Sequence, residues 1–321
     1  MKNFTKIALV FVLVLVILGS VLCAVGMGIG FTFSDFLEEV DAGEFSIGPI
    51  EGIPFIRYGN NDFEWDDESV GWDSKEDEDF TFSWKDIKKI EMELGSSGVN
   101  IIESDREDPE NVHLKIEYRN RNHKHRIKAD LSGDTLEIES NRNGYNWRND
   151  SARVTLELPM ELMKDQKLEE ISLEQESGYI NVEIPLTARK ISINVGAGKC
   201  ESSEKLTAQK EMSMEVDAGK MDLEELEAEE LKIKGGVGDF TAELIQAEKF
   251  DIEGGVGRIE VTVAGKETDY SYDIECGVGR VEIGDSNYSG LGSSKSIENP
   301  GSKEMQIECG IGNVGVYFEN E

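Results

Sequence analysis

Histidine is nearly missing from this sequence: among 321 residues only His113, His123 and His125 occur, all in or beside one segment. Nucleophilic chemistry of the Ser-His-Asp kind needs an imidazole beside its nucleophile, and no motif here assembles one. His123 and His125 supply two imidazoles with no third ligand nearby, short of what a zinc site takes. His113 alternates with Val112 and Leu114 and is expected to face water. Basic residues are scarce as well, 33 against 66 acidic, for a formal charge of −33. A chain so acidic repels polyanions, which sets nucleic acid aside as a partner. The carboxylates do not fall into an EF-hand loop, which needs alternate ligands, a central glycine and a terminal glutamate. Paired carboxylates at a defined separation, as a polysaccharide-cleaving solenoid would need, are not evident either; Lys232, Lys234, Arg258 and Arg280 are scattered singly. The sequence requires no cofactor and no metal, and it reads as non-enzymatic.

Charge of either sign is absent from Ile7 to Ser34, and Ile7 to Val25 is almost wholly aliphatic. A helix of that length nearly spans the roughly 30 Å hydrocarbon core of a bilayer, and the residues up to Phe33 supply the remainder. A transmembrane helix is therefore expected over 7–30. Lys2 and Lys6 precede it while Asp35, Glu38, Glu39 and Asp41 follow, so residues 1–6 are expected in the cytoplasm and the C-terminal part outside the cell. A cleaved signal peptide is the competing reading, but Ser20-Val21-Leu22-Cys23-Ala24 is a poor cleavage site and a poor lipoprotein site. Both readings place the bulk of the chain outside.

From Asp35 to Asp79 there are 16 acidic residues against only Arg57 and Lys75, with aromatics such as Phe45, Trp65 and Trp72 interspersed. Residues 31–85 are expected to form an acidic, aromatic-containing linker. Ordered structure is expected to resume over 86–167. Ile90, Met92, Leu94, Val99 and Ile101 suit a first coil with its turn at Ser97. Short alternating runs then follow, Val112 to Tyr118, Ile127 to Leu131, a Ser132-Gly133-Asp134 turn, Leu136 to Ile138 and Val154 to Leu158. These predict an antiparallel meander that packs on, or caps, the N-terminal end of what comes next.

What comes next, over 168–321, is a repeat. Gly178, Gly198, Gly219, Gly238, Gly257, Gly279 and Gly312 are spaced by 20, 21, 19, 19, 22 and 33 residues. Five positions before each stands an aliphatic or methionine side chain, Leu173, Ile193, Met214, Ile233, Ile252, Ile274 and Ile307. Two after each stand Ile180, Cys200, Met221, Phe240, Ile259, Val281 and Val314. Apolar residues at alternate positions on both sides of a glycine mean strand, glycine turn, strand. Separate hairpins in a sandwich would have no reason to hold these columns in register, whereas coils stacked in parallel turn each column into an internal ladder. The expected fold is all-β, a parallel β-solenoid of about 20-residue coils with the meander near its N-terminal end and one transmembrane helix before it.

The succession from Arg153-Val154-Thr155-Leu156 through Leu168-Glu169-Glu170-Ile171-Ser172-Leu173 and Glu176-Ser177-Gly178-Tyr179-Ile180 to the Gly-Gly-Val-Gly turns resembles the bacterial "putative adhesin" family of β-strand-repeat domains, a domain of unknown function. The resemblance covers about Ile90 to Phe318 and implies a cell-surface β-solenoid, often membrane-anchored. In some members it implies an association with envelope-stress signalling. No catalytic or ligand residues are defined for the family. The acidic linker and the long final loop, Ile283 to Lys303, depart from its compact pattern.

Two features of the repeats bear on function. Cys276 and Cys309 share a register, three before their glycines, so they should lie on neighbouring coils about 4.8 Å apart. That spacing permits a disulfide, though parallel neighbours aim their Cβ vectors poorly, and two packed thiols are the other reading. Glu253, Glu275 and Glu308 share another position and predict a ladder of carboxylates, either a cation site between coils or charge that keeps the face soluble. The expected function is a non-enzymatic, membrane-anchored surface scaffold of the bacterial envelope. Its partner would be another surface or membrane protein, or a cationic ligand. The alternative is an accessory of envelope-stress sensing that acts on a membrane partner.

Overall fold

The computed structural model describes residues 45–50, 53–58, 77–108, 110–118, 127–140, 152–159, 168–289 and 292–319. The expected transmembrane segment, 7–30, lies outside these, as do His123 and His125. Among the described residues no helix is long and apolar enough to cross a membrane. Strands β1 (Phe45–Ile50) and β2 (Ile53–Tyr58) form a two-stranded sheet of their own. Everything described from residue 77 onward belongs to one all-β body.

That body is built from long strands that bend. The central ones are β9 (Glu170–Val182), β10 (Leu186–Ser202), β11 (Leu206–Glu227), β12 (Glu230–Gln246) and β13 (Lys249–Ala264). Each pairs in parallel with the next. The glycines set the bend, and the register is that of the sequence columns: Leu173 lies beside Ile193, Ile193 beside Met214, Met214 beside Ile233. Burial follows the same logic. In β11 Met212, Met214 and Val216 are buried before the bend, and Met221 and Leu223 after it. A further buried pair precedes each of these, Leu186 with Ala188, Leu206 with Ala208, Leu226 with Ala228 and Ile245 with Ala247. Each coil thus presents three short inward segments, separated by an exposed pair such as Arg189-Lys190 and by the glycine bend.

The ends depart from simple stacking. At the N-terminal end, β4 (Lys89–Glu103) lies against β9, with Ser97 opposite Gly178 as the sequence suggested. Four strands then follow: β5 (Asn111–Tyr118), β6 (Ile127–Ser132), β7 (Thr135–Ser140) and β8 (Ala152–Leu158). They do not form the simple antiparallel meander expected. β7 and β8 both pair in parallel with β4, one on each side of its bend, because a bent strand offers two separate edges and each needs its own neighbour. β6 then closes on β7 and β5 on β8, both antiparallel, and β3 (Glu78–Ser83) covers β5. β3 and the 3₁₀ turn Trp84–Asp86 fall inside the stretch read from sequence as linker, and Trp84 is part of the core.

At the other end, β14 (Tyr270–Cys276) and β15 (Arg280–Ile283) do not stack on β13. The last strands of the chain, β18 (Lys303–Cys309) and β19 (Asn313–Glu319), occupy that place. They pair in parallel with β13 on one side and with β14 and β15 on the other. The stretch between, seen in the sequence as a long loop, supplies β16 (Ser286–Ser289) and β17 (Ser293–Ile297), which close on β15 and β14 antiparallel. Those polar edge strands shield an end that would otherwise invite another chain to pair. Followed along one row of paired strands and back along the other, the hydrogen-bonded ladder is a closed circuit. Its inside is filled by the aliphatic and methionine columns, so it is a stack of coils.

Candidate functional site

The bend glycines stand in one column, ordered Gly178, Gly198, Gly219, Gly238, Gly257, Gly312 and Gly279 along the stack. Gly219 shows why. Its φ is +138°, and a Cβ there would lie 1.9 Å from the carbonyl oxygen of Gly198. The same contact recurs at Gly198, Gly238 and Gly257, so each coil approaches its predecessor through a position only glycine fits. These residues are structural.

Beside the column, toward the C-terminal end, the turns read Gly-Gly-Val-Gly and leave a groove of about 680 Å³. Its floor is the backbone of Gly235, Gly236, Gly254, Gly255, Gly277 and Gly310, and Gly292 with Ser293 and Ser294 at the start of β17 bound one end. Carboxylates line it. Glu253 lies beside Glu308 and Glu308 beside Glu275, so the ladder named from the sequence exists, but in the order Glu253, Glu308, Glu275. Glu215 and Asp217 extend it toward the middle of the stack. Lys234 offsets only its near margin, with Nζ 3.2 Å from the Glu253 carboxylate. Among the described residues neither Glu275 nor Glu308 has a salt bridge, and no three acidic, histidine or cysteine side chains come together as a metal-binding group.

Elsewhere on the stack some carboxylates are matched by lysines, while Glu91, Glu137, Glu139 and Glu174 gather in a second acidic cluster at the N-terminal end. Lys232 donates to Glu211 at 2.9 Å and Lys190 lies 3.3 Å from the same carboxylate, which holds it below the usual glutamate range. Lys89 pairs with Glu170 and Lys249 with Glu230 in the same manner. These are exposed pairs worth at most about 1 kcal/mol each. Of the groove carboxylates, among the described residues, only Glu253 has such a pair.

A second column borders the groove, one residue before each bend glycine, and the sequence reading passed it over. It runs Ser177, Ala197, Ala218, Val237 and Val256 along paired strands. Ile311 then follows, its N–H donating to the Gly255 carbonyl, and Val278, whose N–H donates to that of Gly310. Ser177 is buried, but from Val237 onward the side chains are larger and exposed: Val237 is 39 % exposed, Val256 48 %, Ile311 65 % and Val278 64 %. The Gly-Gly-Val-Gly spelling carried that signal.

The three described cysteines are free and buried. Cys276 and Cys309 do sit opposite one another, yet they pack as two thiols: Cys309 Sγ donates to the Gly312 carbonyl at 3.2 Å, turned toward its own bend. Burial pushes the Cys309 thiol up, and the neighbouring Cys276 adds to the shift. Cys200 is wholly enclosed in the inward column, and burial raises its thiol to about 12. Since the thiolate is the nucleophile, iodoacetamide at pH 8 is expected to leave Cys200 unmodified in the folded protein and to alkylate it fully in urea. Rapid labelling of Cys200 without denaturant, read by peptide mass, would contradict this burial.

His113 departs from expectation. It is only 5 % exposed, although alternation puts it on the outer face of β5. The turn after β4 folds back over that face. There Arg106 bridges Asp79 and Glu157, Asp108 stands 3.7 Å from His113 Nε2, and Thr81 Oγ1 lies 3.2 Å from Nδ1. Alternation fixes which face a residue occupies; it does not say what covers that face. Gln175 was missed too. It takes an inward position and satisfies itself there, accepting from Ser97 Oγ at 3.1 Å and donating to the carbonyls of Gly95 and Ser177.

Fold and groove together define an all-β, solenoid-like repeat domain with one acidic, aliphatic-edged corner. The chain belongs to the Toastrack DUF4097 family, whose model matches residues 87–290. Solved structures similar to it include a "putative adhesin" from Parabacteroides distasonis, 13% identical, covering 75% of this chain and 96% of that one with a TM-score of 0.44. A "putative adhesin" from Bacteroides fragilis is 15% identical over 76% of this chain and 98% of its own, with a TM-score of 0.34. A "putative cell adhesion protein" from Clostridium sporogenes is 15% identical over 76% and 99%, with a TM-score of 0.30. No curated protein matches the chain.

Proposed function

We propose that this protein is a non-enzymatic binding scaffold of the bacterial envelope, anchored by residues 7–30 and presenting its solenoid outside the cell to a cationic partner. The observation that carries the reading is the acidic groove, where Glu308 and Glu275 stand with no salt bridge among the described residues beside a glycine floor open to solvent, whereas Glu170, Glu211 and Glu230 on the stack are each paired with a lysine. A stack of parallel coils gives that surface a fixed spacing, and a formal charge of −33 favours cations over polyanions. Membership of the Toastrack family fits a scaffold, and the charge order across residues 1–41 fits outward display.

The test uses bacterial cells carrying the full chain or residues 1–85 alone. Protease added to intact cells is expected to release solenoid fragments from the first, and polylysine-coated beads are expected to retain those cells while polyglutamate-coated beads do not. Equal retention of both strains, or no release by protease, sinks the proposal.

A further inference from the structure

Among the described residues, the large aliphatic side chains left exposed all stand in a single file. Val237, Val256, Ile311 and Val278 follow one another over four adjacent coils, with the acidic groove running beside them. The file is perpendicular to the strands. Its members are therefore about 4.8 Å apart, and three intervals make it about 14 Å long.

From this we infer that the corner is a docking surface for an amphipathic helix of a partner protein, laid along the stack with an aliphatic seam on the file and a lysine- or arginine-bearing flank over the groove. This deepens the scaffold reading and rests on it. Three observations select such an occupant. First, an α-helix offers one seam residue per turn, every 5.4 Å, close to the coil spacing; over three intervals the mismatch sums to about 2 Å, within the reach of side-chain adjustment. An extended strand, with same-face residues about 6.8 Å apart, drifts out of step at once. Second, Glu308 and Glu275 flank the two most exposed members of the file, Ile311 and Val278, and among the described residues neither has a lysine or arginine partner. Third, the turn glycines beside the file carry no side chains to hold a helix off. A bilayer is the poorer occupant, because the same carboxylates would be driven toward headgroups and hydrocarbon.

The test uses the full chain in nanodiscs of zwitterionic lipid, with empty nanodiscs as blank. The probe is a fluorescent alanine-based peptide of about four helical turns, with leucine once per turn and lysine on one flank. Binding is expected in the micromolar range by anisotropy. The paired variants V278S/I311S and E275Q/E308Q are each expected to weaken it at least about tenfold, as is glutamine for lysine in the peptide. The changed side chains are exposed, so thermal unfolding should be unaltered. A218S, in the same column where the file is small, should bind as the parent does. Unchanged affinity in both paired variants, or no binding, overturns the docking surface. Bead retention by cells carrying V278S/I311S tells the two readings apart: retention with peptide affinity lost supports both, retention with affinity unchanged overturns only the docking surface, and loss of retention by the parent overturns the scaffold itself. A polarity-sensitive dye on V278C that responds to phosphatidylglycerol vesicles and not to peptide assigns the file to lipid and overturns the proposal.

Discussion

Alanine at position 219 is expected to lower the unfolding free energy of the folded region by about 2–4 kcal/mol, among the largest effects available to a single methyl group. Two costs combine. The backbone at Gly219, φ +138°, lies where residues with a Cβ are rarely found, and the added methyl would sit 1.9 Å from the Gly198 carbonyl oxygen. A backbone oxygen cannot rotate away as a side chain would. The coils on either side must separate, and the parallel ladder from β10 to β12 opens with them. Gly133 provides the control. Its φ is +68°, but nothing lies within 4 Å of a Cβ placed there, so G133A incurs only the left-handed conformational cost of about 1–2 kcal/mol. Urea unfolding of residues 77–321 measures both. Equal midpoints for G219A and G133A would mean that the coils are not held at the spacing the glycine column implies.

The same comparison shows what the sequence could reveal. A column is legible when every coil repeats it, and the residues flanking each bend glycine do: Ile193, Met214 and Ile233 before it, Cys200, Met221 and Phe240 after it are all buried and all in register. Ser97 could be placed opposite Gly178 for the same reason. The leucine and alanine pairs, Leu206 with Ala208 and Leu226 with Ala228, were equally regular, but a strand segment that short carries too little alternation to stand out. Other features depend on contacts between parts of the chain with no shared pattern. His113 is covered by a turn that Arg106 ties down, and nothing in the alternation of β5 announces it.

Outward columns are harder to read than inward ones because water tolerates almost any side chain there. The file ending in Ile311 and Val278 is informative only because it violates the usual composition of an exposed edge, and because Glu308 and Glu275 beside it have no salt bridge among the described residues. The order of the carboxylate ladder was illegible for a different reason. Met305, Ile307 and Val314 match the columns of β13 as well as those of β14 and β15, so the sequence permits the last coil to stack at the end or to insert. Insertion leaves polar β16 and β17 on the outside, where a wet edge suits Ser-Asn-Tyr-Ser and Ser-Ser-Lys-Ser-Ile.

That choice has a large experimental signature. Removing residues 301–321 is expected to unfold everything from Tyr270 onward and to strip protection from β13, not merely to shorten the stack. The deleted strands bury Met305, Ile307, Cys309, Val314 and Val316, a gross contribution of roughly 8–15 kcal/mol at about 1.5–3 kcal/mol per side chain, comparable to the stability of a whole domain. They also join two parts that do not otherwise pair in parallel. Tyr270 meets Phe250 of β13 with ring centroids 5.6 Å apart and Phe318 of β19 at 6.0 Å, while Lys303 sits 5.2 Å from the Tyr270 ring centroid. Without β18 and β19, the inner edges of β13, β14 and β15 lose their ladders together. Stability in stacked repeats is local, so β9 to β11 should keep their amide protection. Hydrogen exchange followed by mass spectrometry reads the two outcomes directly. Protection retained over 270–297 in the truncated chain would mean that the final coil is a terminal addition, and β14 would then have to stack on β13 unaided.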